Sequence, residues 1–156
     1  MEKTPYAYDF LWHQVELAYN EIRKPKYREL LKSFLFEKDF REKAGKLKDK
    51  KGRNYTGGLL EAVASQTSLL MCIYDNYPEI DIDLLLTGVI LKLYCRLYSK
   101  KECYQRLKDY QEVIPLLFRK SRKKPSVELT IYDSIEKLDN KIVIKLQQKR
   151  RKKDGS

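Results

Sequence analysis

The stretch GLLEAVASQTSLLMCIYDNY, residues 58–77, carries the strongest helical signal in this chain of 156 residues. Its apolar or long side chains recur three or four residues apart, which places them on one broad face of a helix. That face consists of Leu59, Val63, Gln66, Leu70 and Ile73, widened by Leu60, Leu69 and Met71. A face of this width predicts a helix that is buried on most of its surface, and Pro78 ends it.

A second apolar helix is predicted directly after this one. Asp81 or Asp83 can cap its start, and residues 84–91 are nearly all apolar, so we expect this helix at the centre of the domain. Residues 100–114 predict a more polar helix that Pro115 interrupts or ends, and residues 121–125 form a basic connector.

Two shorter helices are predicted before the opening stretch. Residues 8–23 show helical spacing, with Asp9 available as a cap and Lys24-Pro25 as the end. A second run from Lys26 carries an apolar stripe that continues to Phe40. The polar, basic and glycine residues at 46–58 indicate a loop.

The last segment is ambiguous by propensity, because Val127, Leu129 and Ile131 alternate like a strand. Spacing favours a helix, since one apolar stripe recurs every three or four residues. That stripe is Ile131, Ile135, Leu138, Ile142 and Leu146. The predicted fold class is therefore all-α, a compact single-domain helical bundle over residues 1–147, followed by a basic, disordered tail at 148–156.

The composition bounds the class of protein. With 42% hydrophobic and 35% charged residues the chain is not disordered as a whole, and no apolar run reaches the roughly 18 residues that span a bilayer. We therefore expect no membrane partner. No charged-then-apolar leader opens the chain, and three cysteines without a Cys-x-x-Cys pair suit a reducing cytosol, so a cytoplasmic location is expected.

The net charge of +11 is concentrated in three clusters. They lie at residues 43–53, 119–124 and 149–153. Such clusters attract polyanions and release counterions when they meet phosphates, which favours nucleic acid as a ligand. The alternative is that they are solvated loops and a solubilising tail.

Three segments resemble a known family in their order along the chain. They are Tyr55-Thr-Gly-Gly-Leu-Leu-Glu-Ala62, the run from Tyr77 to Gly88, and the run from Pro125 to Lys141. Together they resemble the HD domain of YhaM-type 3'-5' exoribonucleases, over roughly residues 15–98 and 124–146. The resemblance implies an HD-domain-like helical fold, shortened between the second and third segments.

The same resemblance implies that the metal ligands of the family are lost. Its histidines correspond to Arg53, Asn54 and Ala62, its histidine-aspartate pair to Lys92 and Leu93, and its last metal-binding aspartate to Glu136. Only Glu136 is a metal-ligand type, and cationic side chains at the other positions repel a metal ion. We therefore expect a degenerate HD domain, a pseudoenzyme with no catalytic residues, no metal and no cofactor.

Two uses of the altered site stay open. Arg53, Lys92 and Arg96 could hold phosphate oxygens where the family holds metal, or the fold could be a scaffold for the basic clusters or a partner surface. Tyr94, Tyr98 and Tyr104 could stack on bases, or simply pack half-buried.

The expected function is non-catalytic binding of DNA or RNA, largely independent of sequence. The residues expected to contact nucleic acid are Lys46, Lys48, Lys50, Lys51, Arg53, Lys92, Arg96, Arg119, Lys120, Arg122, Lys123, Lys124, Lys149, Arg150 and Arg151. The alternatives are a protein-interaction or adaptor subunit of a larger nucleic-acid-processing complex, a homo-oligomer, and a residual manganese-dependent hydrolase. A cellular regulator, a mobile element and a virus all suit such a chain.

Overall fold

The helix at residues 82–97 lies at the centre of the molecule, and every other helix contacts it. The structure, a computed structural model, describes residues 2–118 and 124–154. Within those residues the helices are α1 (Tyr8–Glu21), α2 (Pro25–Leu35), α3 (Lys38–Ala44), α4 (Gly58–Asn76), α5 (Ile82–Leu97), α6 (Lys100–Arg106), α7 (Ile114–Leu117) and α8 (Val127–Asp154). The only β-type pairings in the described part are two isolated bridges, so the predicted all-α class is confirmed.

Helix α5 is central because its apolar residues cover all sides, and Leu85, Leu86 and Ile90 are fully buried. The cap is Asp81, whose carboxylate accepts a hydrogen bond from the backbone N–H of Leu84 at 3.1 Å. Asp83 has another role, since its carboxylate accepts from the backbone N–H groups of residues 23 and 24. It therefore ties the α1–α2 connection to the start of α5.

Helix α4 matches the stretch that predicted it, because it begins at Gly58 and ends two residues before Pro78. It packs against α5, α1 and α8. Most of its predicted face is buried, whereas Leu69, Met71 and Ile73 are only partly buried. The buried part includes the polar side chain of Gln66, which is only 2% exposed.

Several predicted boundaries differ from the structure. Asp9 lies in the first turn of α1 and does not cap it, because the N-cap position is Ala7. Pro25 begins α2 and Pro115 lies in the first turn of α7, where a proline loses no helical hydrogen bond. The single helix predicted for residues 100–114 is instead the short α6 followed by turns.

The closing segment is one helix, as the spacing predicted. Tyr132 and Ile135 are buried, but Leu138, Ile142 and Leu146 remain about half exposed. The stripe therefore continues beyond the part of α8 that the core covers. The structure describes residues 148–154 as the last turns of α8, and a separate tail from residue 148 stays a prediction.

The cysteines differ from the expectation. Cys95 at the end of α5 is bonded to Cys103 in α6, and Cys72 is free and exposed. Disulfides persist in oxidising compartments, so this bond does not suit the reducing cytosol expected from the sequence. A cytoplasmic location stays a prediction. Among the helices of the described residues, none combines the length and apolar character needed to cross a bilayer.

Candidate functional site

A buried network of charged groups lies between α4, α8 and the loop before α4. The Arg53 guanidinium donates to the carboxylate of Glu61, and donates two hydrogen bonds to Asp139, at 2.6 and 3.1 Å. The hydroxyls of Thr4 and Tyr55 also donate to Glu61, each at 2.7 Å. One guanidinium therefore joins two carboxylates that are 78 residues apart in sequence.

Both partners of the buried pair stay ionised. Burial lowers the pKa of Arg53, but the hydrogen bonds and charges of Asp139 and Glu61 outweigh burial, so the pKa lies above its usual value. Burial raises the pKa of Asp139, yet the hydrogen bonds from Arg53 and its neighbours lower it below the usual range.

Two adjacent glycines allow the loop before α4 to place Arg53 in the buried network. Gly57 has a positive φ of 86°, a conformation that glycine adopts without strain. A Cβ on Gly58 would lie 1.9 Å from the carbonyl oxygen of Arg53, so only glycine fits there. Backbone hydrogen bonds between Asp49 and Arg53 close the turn that precedes the pair.

The network continues to a second buried cation. Lys92 of α5 donates to the Gln66 amide oxygen at 2.7 Å and to the Glu136 carboxylate at 2.6 Å, while the Gln66 amide nitrogen donates to Asp139 at 3.1 Å. Burial lowers the pKa of Lys92, and Glu136 opposes this only in part. Burial raises the pKa of Glu136, but Lys92 and the exposed Lys51 outweigh burial and lower it to about 2.

The structure brings together three of the positions that the family resemblance assigned to metal ligands. Arg53, Lys92 and Glu136 belong to this one network, linked through Gln66 and Asp139. The other three are the exposed Asn54 and the buried Ala62 and Leu93. In residues 2–118 and 124–154 no group of three or more His, Cys, Asp or Glu is arranged to hold a metal ion.

Sequence reasoning did not assign the two carboxylates and the amide of the network, Glu61, Asp139 and Gln66, to a site, nor the hydroxyls of Thr4 and Tyr55. The available signal was Gln66, a polar residue on the apolar face of α4, because a buried amide needs hydrogen-bond partners. The sequence does not reveal which partners, since Asp139 lies 73 residues away.

The three cations proposed for an anion site are not brought together. Arg53 and Lys92 are 4% and 8% exposed and both are paired with carboxylates. Arg96 is exposed and lines a hollow of 280 Å³ with Lys92 and Lys51, but Arg53 does not line that hollow. Of the two buried cations, only Lys92 therefore lies beside Arg96.

The first and third basic clusters lie next to each other. Lys51 in the loop is bonded to Glu136 of α8 at 2.9 Å, and Gln147 of α8 donates to the carbonyl oxygen of Gly52 at 3.0 Å. The loop is thereby attached along the side of α8. The exposed cations of the two clusters are Lys46, Lys48, Lys50 and Lys51 in the loop and Lys149, Arg150 and Arg151 in the helix.

Helix α8 adds lysines that the clusters did not include. We call the lysine ladder the five exposed residues Lys137, Lys141, Lys145, Lys149 and Lys153. They recur every four residues, about 6 Å apart along the helix axis. Residues 140–153 contain no acidic side chain, and the first four of these lysines form no salt bridge with any residue whose side chain the structure describes.

Most of the second cluster lies outside the described residues. Arg119, Lys120, Arg122 and Lys123 belong to that part of the chain, while Lys124 is exposed shortly before α8. Phe118, the last described residue before this stretch, lines the same hollow as Lys51 and Arg96.

The predicted stacking tyrosines are mostly engaged within the protein. Tyr94 is buried, with its ring against Phe34 and Tyr98, and Tyr104 stacks on Phe118. Only Tyr98 is exposed, at 38%. This arrangement corresponds to packing, the second of the two interpretations of these residues.

Comparison of the chain with protein-family models, with curated proteins and with solved structures gives no match.

Proposed function

We propose that this protein is a non-catalytic, HD-like helical domain that binds nucleic acid through an exposed basic surface, largely independently of sequence. The surface consists of the lysine ladder, the loop cations Lys46, Lys48, Lys50 and Lys51, and Arg150 and Arg151 of α8. Exposed lysines and arginines gain free energy from counterion release when they contact phosphates, whatever the base sequence.

The observation that carries this proposal is the attachment of the basic loop to α8. The contacts from Lys51 to Glu136 and from Gln147 to Gly52 attach the loop that carries the first cluster to α8, the helix that carries the third. A glutamate that would otherwise interrupt the basic surface is neutralised by Lys51 and Lys92. Solvated loops without a shared ligand do not require such an arrangement.

The non-catalytic part of the proposal rests on the buried network. Its carboxylates are already occupied by the guanidinium of Arg53 and the ammonium of Lys92. A divalent ion would have to displace these buried cations from charge-assisted hydrogen bonds. We expect no hydrolysis of bis(4-nitrophenyl) phosphate with manganese present; turnover that saturates with manganese would contradict this part of the proposal.

The binding proposal is tested by fluorescence anisotropy with labelled oligonucleotides, single- and double-stranded DNA and RNA, across a salt series. We expect affinity to fall steeply with salt, by a factor of about 10³ between roughly 50 and 200 mM if about six phosphates are contacted. The absence of binding at low salt, or an affinity that does not change with salt, would contradict the proposal.

Two charge-reversal variants test whether nucleic-acid affinity depends on the position of the lysines or only on the net charge of the protein. K141E/K145E/K149E changes the ladder, and K32E/K101E/K108E makes the same change in net charge at exposed lysines of α2, α6 and the turn after α6. We expect the ladder variant to lose at least about tenfold in affinity and the control variant much less. Equal losses would show that no particular surface is used.

A further inference from the structure

A cleft lies between α1 and α8, which both pack against α4. Its volume is 460 Å³, within the range of about 300–1,000 Å³ that ligand-binding clefts occupy. Tyr6 and Phe10 form one wall and Ile142 and Leu146 the other, and each of these four side chains is 44–50% exposed. Large apolar side chains are thus gathered on both sides of one open groove.

This grouping differs from scattered surface apolar residues. On α8, Ile142 and Leu146 continue the stripe that Tyr132 and Ile135 begin in the core, but no element of the described chain covers them. On α1, Phe10 lines the cleft, and the half-exposed Leu17 lies on the same face of the helix two turns later, outside the cleft. Contiguous exposed apolar surface of this kind marks interaction sites.

The charges around the cleft favour an acidic partner. Arg150 lines the cleft and forms no salt bridge with any residue whose side chain the structure describes. The floor contains Glu61 and Asp139, and their shared partner Arg53 offsets one of the two negative charges. The preference for an acidic partner therefore rests on Arg150 at the open edge and on the net charge of +11 of the chain. The side chains of Gln14 and Gln147 line the edges, and the Gln147 amide nitrogen is bonded to the carbonyl oxygen of Gly52.

We propose that the cleft binds an acidic amphipathic helix of another protein. Such a helix would insert apolar side chains between Phe10 and Ile142 and place carboxylates beside Arg150, the helix-in-groove mode of recognition. A second copy of this chain fits poorly, because each copy carries a net charge of +11. A bilayer surface also fits poorly, because the apolar side chains line a concave groove.

This surface differs from the proposed nucleic-acid surface in all of its apolar residues, although Arg150 borders both. Successive residues of an α-helix are rotated by about 100°, so Ile142 and Leu146 face the cleft while Lys141 and Lys145 face away from it. The two proposals can therefore fail separately.

The test uses a synthetic fluorescein-labelled peptide with leucines at helical i, i+3, i+4 and i+7 spacing and glutamates on the opposite face. A scrambled peptide of the same composition keeps the charge but removes the apolar stripe. We expect the patterned peptide to bind the full chain, and the scrambled one to bind at least about tenfold more weakly.

Matched variants locate the binding. F10A and I142A remove apolar side chains of the cleft, whereas I144A removes one of similar exposure on α8 that does not line it. We expect F10A and I142A each to weaken peptide binding about tenfold, and R150E to weaken it likewise, while I144A leaves it within about twofold. Because these residues are exposed, all four variants should fold, which circular dichroism checks.

Four outcomes would overturn the proposal. The first three are that the patterned peptide does not bind, that the scrambled peptide binds equally well, and that F10A and I142A leave peptide binding unchanged. The fourth is that I142A abolishes an interaction with something other than the peptide. That interaction would be self-association in sedimentation, binding to anionic vesicles, or binding of an oligonucleotide that competes with the peptide.

Discussion

Arg53 acts as the counter-ion of two buried carboxylates, a role that a bound cation has in other clusters of carboxylates. Its guanidinium is 5% exposed, holds Asp139 with two hydrogen bonds and reaches Glu61 with a third. Removing one partner of such a buried pair leaves charge without compensation, which costs far more than the pair itself contributes.

The first prediction compares two cations of the same network. We expect Arg53→Met to lower the free energy of unfolding by about 3–5 kcal/mol, because two buried carboxylates lose their counter-ion. Lys51→Met, which removes a 59% exposed partner of Glu136, should cost less than about 1 kcal/mol. Urea denaturation measures both, and equal losses would contradict the assigned role of Arg53.

The second prediction concerns acid. The folded-state pKa of Glu136 is about 2, below its usual value near 4.5, so its ion pairs stabilise the fold fully above about pH 4.5 and progressively less as the pH falls toward 2. Allowing for its 22% exposed side chain, the loss is about 2 kcal/mol. Unfolding of wild type and Glu136→Gln, measured from about pH 6 to pH 2, should give a shallower decline in the variant; parallel curves would rule this out.

Residue types alone predicted part of this arrangement. The sequence singled out Arg53 and Lys92, and the structure places both among carboxylates. That they exclude a metal ion stays a prediction. What the sequence could not supply is that Gln66 joins the two pairs, because that depends on how α4, α5 and α8 cross.

At the scale of elements, the loop before α4 determines where the network forms. Gly57 turns the chain with a positive φ, and Gly58 lets the first turn of α4 touch the carbonyl group of Arg53. The sequence indicated a loop and a helix start here. It did not indicate that the glycines are required by a close backbone approach.

The third prediction follows from that approach. We expect Gly58→Ala to cost at least about 2 kcal/mol, because its Cβ would lie 1.9 Å from a backbone oxygen and the loop would have to move away from α4. Gly52→Ala is the matched control, since its nearest contact is a side-chain oxygen of Asn140 at 3.1 Å, and it should cost less than about 1 kcal/mol. Thermal denaturation distinguishes the two, and similar melting temperatures would contradict the argument.

Prolines show why helix boundaries were harder to predict than helices. Pro25 and Pro115 were interpreted as helix ends, but both lie in first turns, where the missing N–H is not needed. A proline alone does not distinguish the end of one helix from the start of the next.

At the scale of the whole molecule, α8 has two unlike halves. Its first half completes the core through Tyr132 and Ile135, and its second half extends the apolar stripe and the lysine ladder into solvent. Periodicity predicted the helix correctly but could not show where the core stops covering it, because that depends on the length of α1 and α4 beneath it.

Because the lysines of the ladder are four residues apart, they do not lie on a straight line along α8. Each step rotates about 40° around the helix, so the five ammonium groups trace a right-handed spiral that turns about 160° over roughly 24 Å. A supple single strand can wind along such a path, whereas a duplex, stiff over about 150 base pairs, touches only an arc of it. We expect oligo(dT) to engage more lysines than a duplex of equal length, and identical phosphate counts from their salt dependence would argue against the winding path.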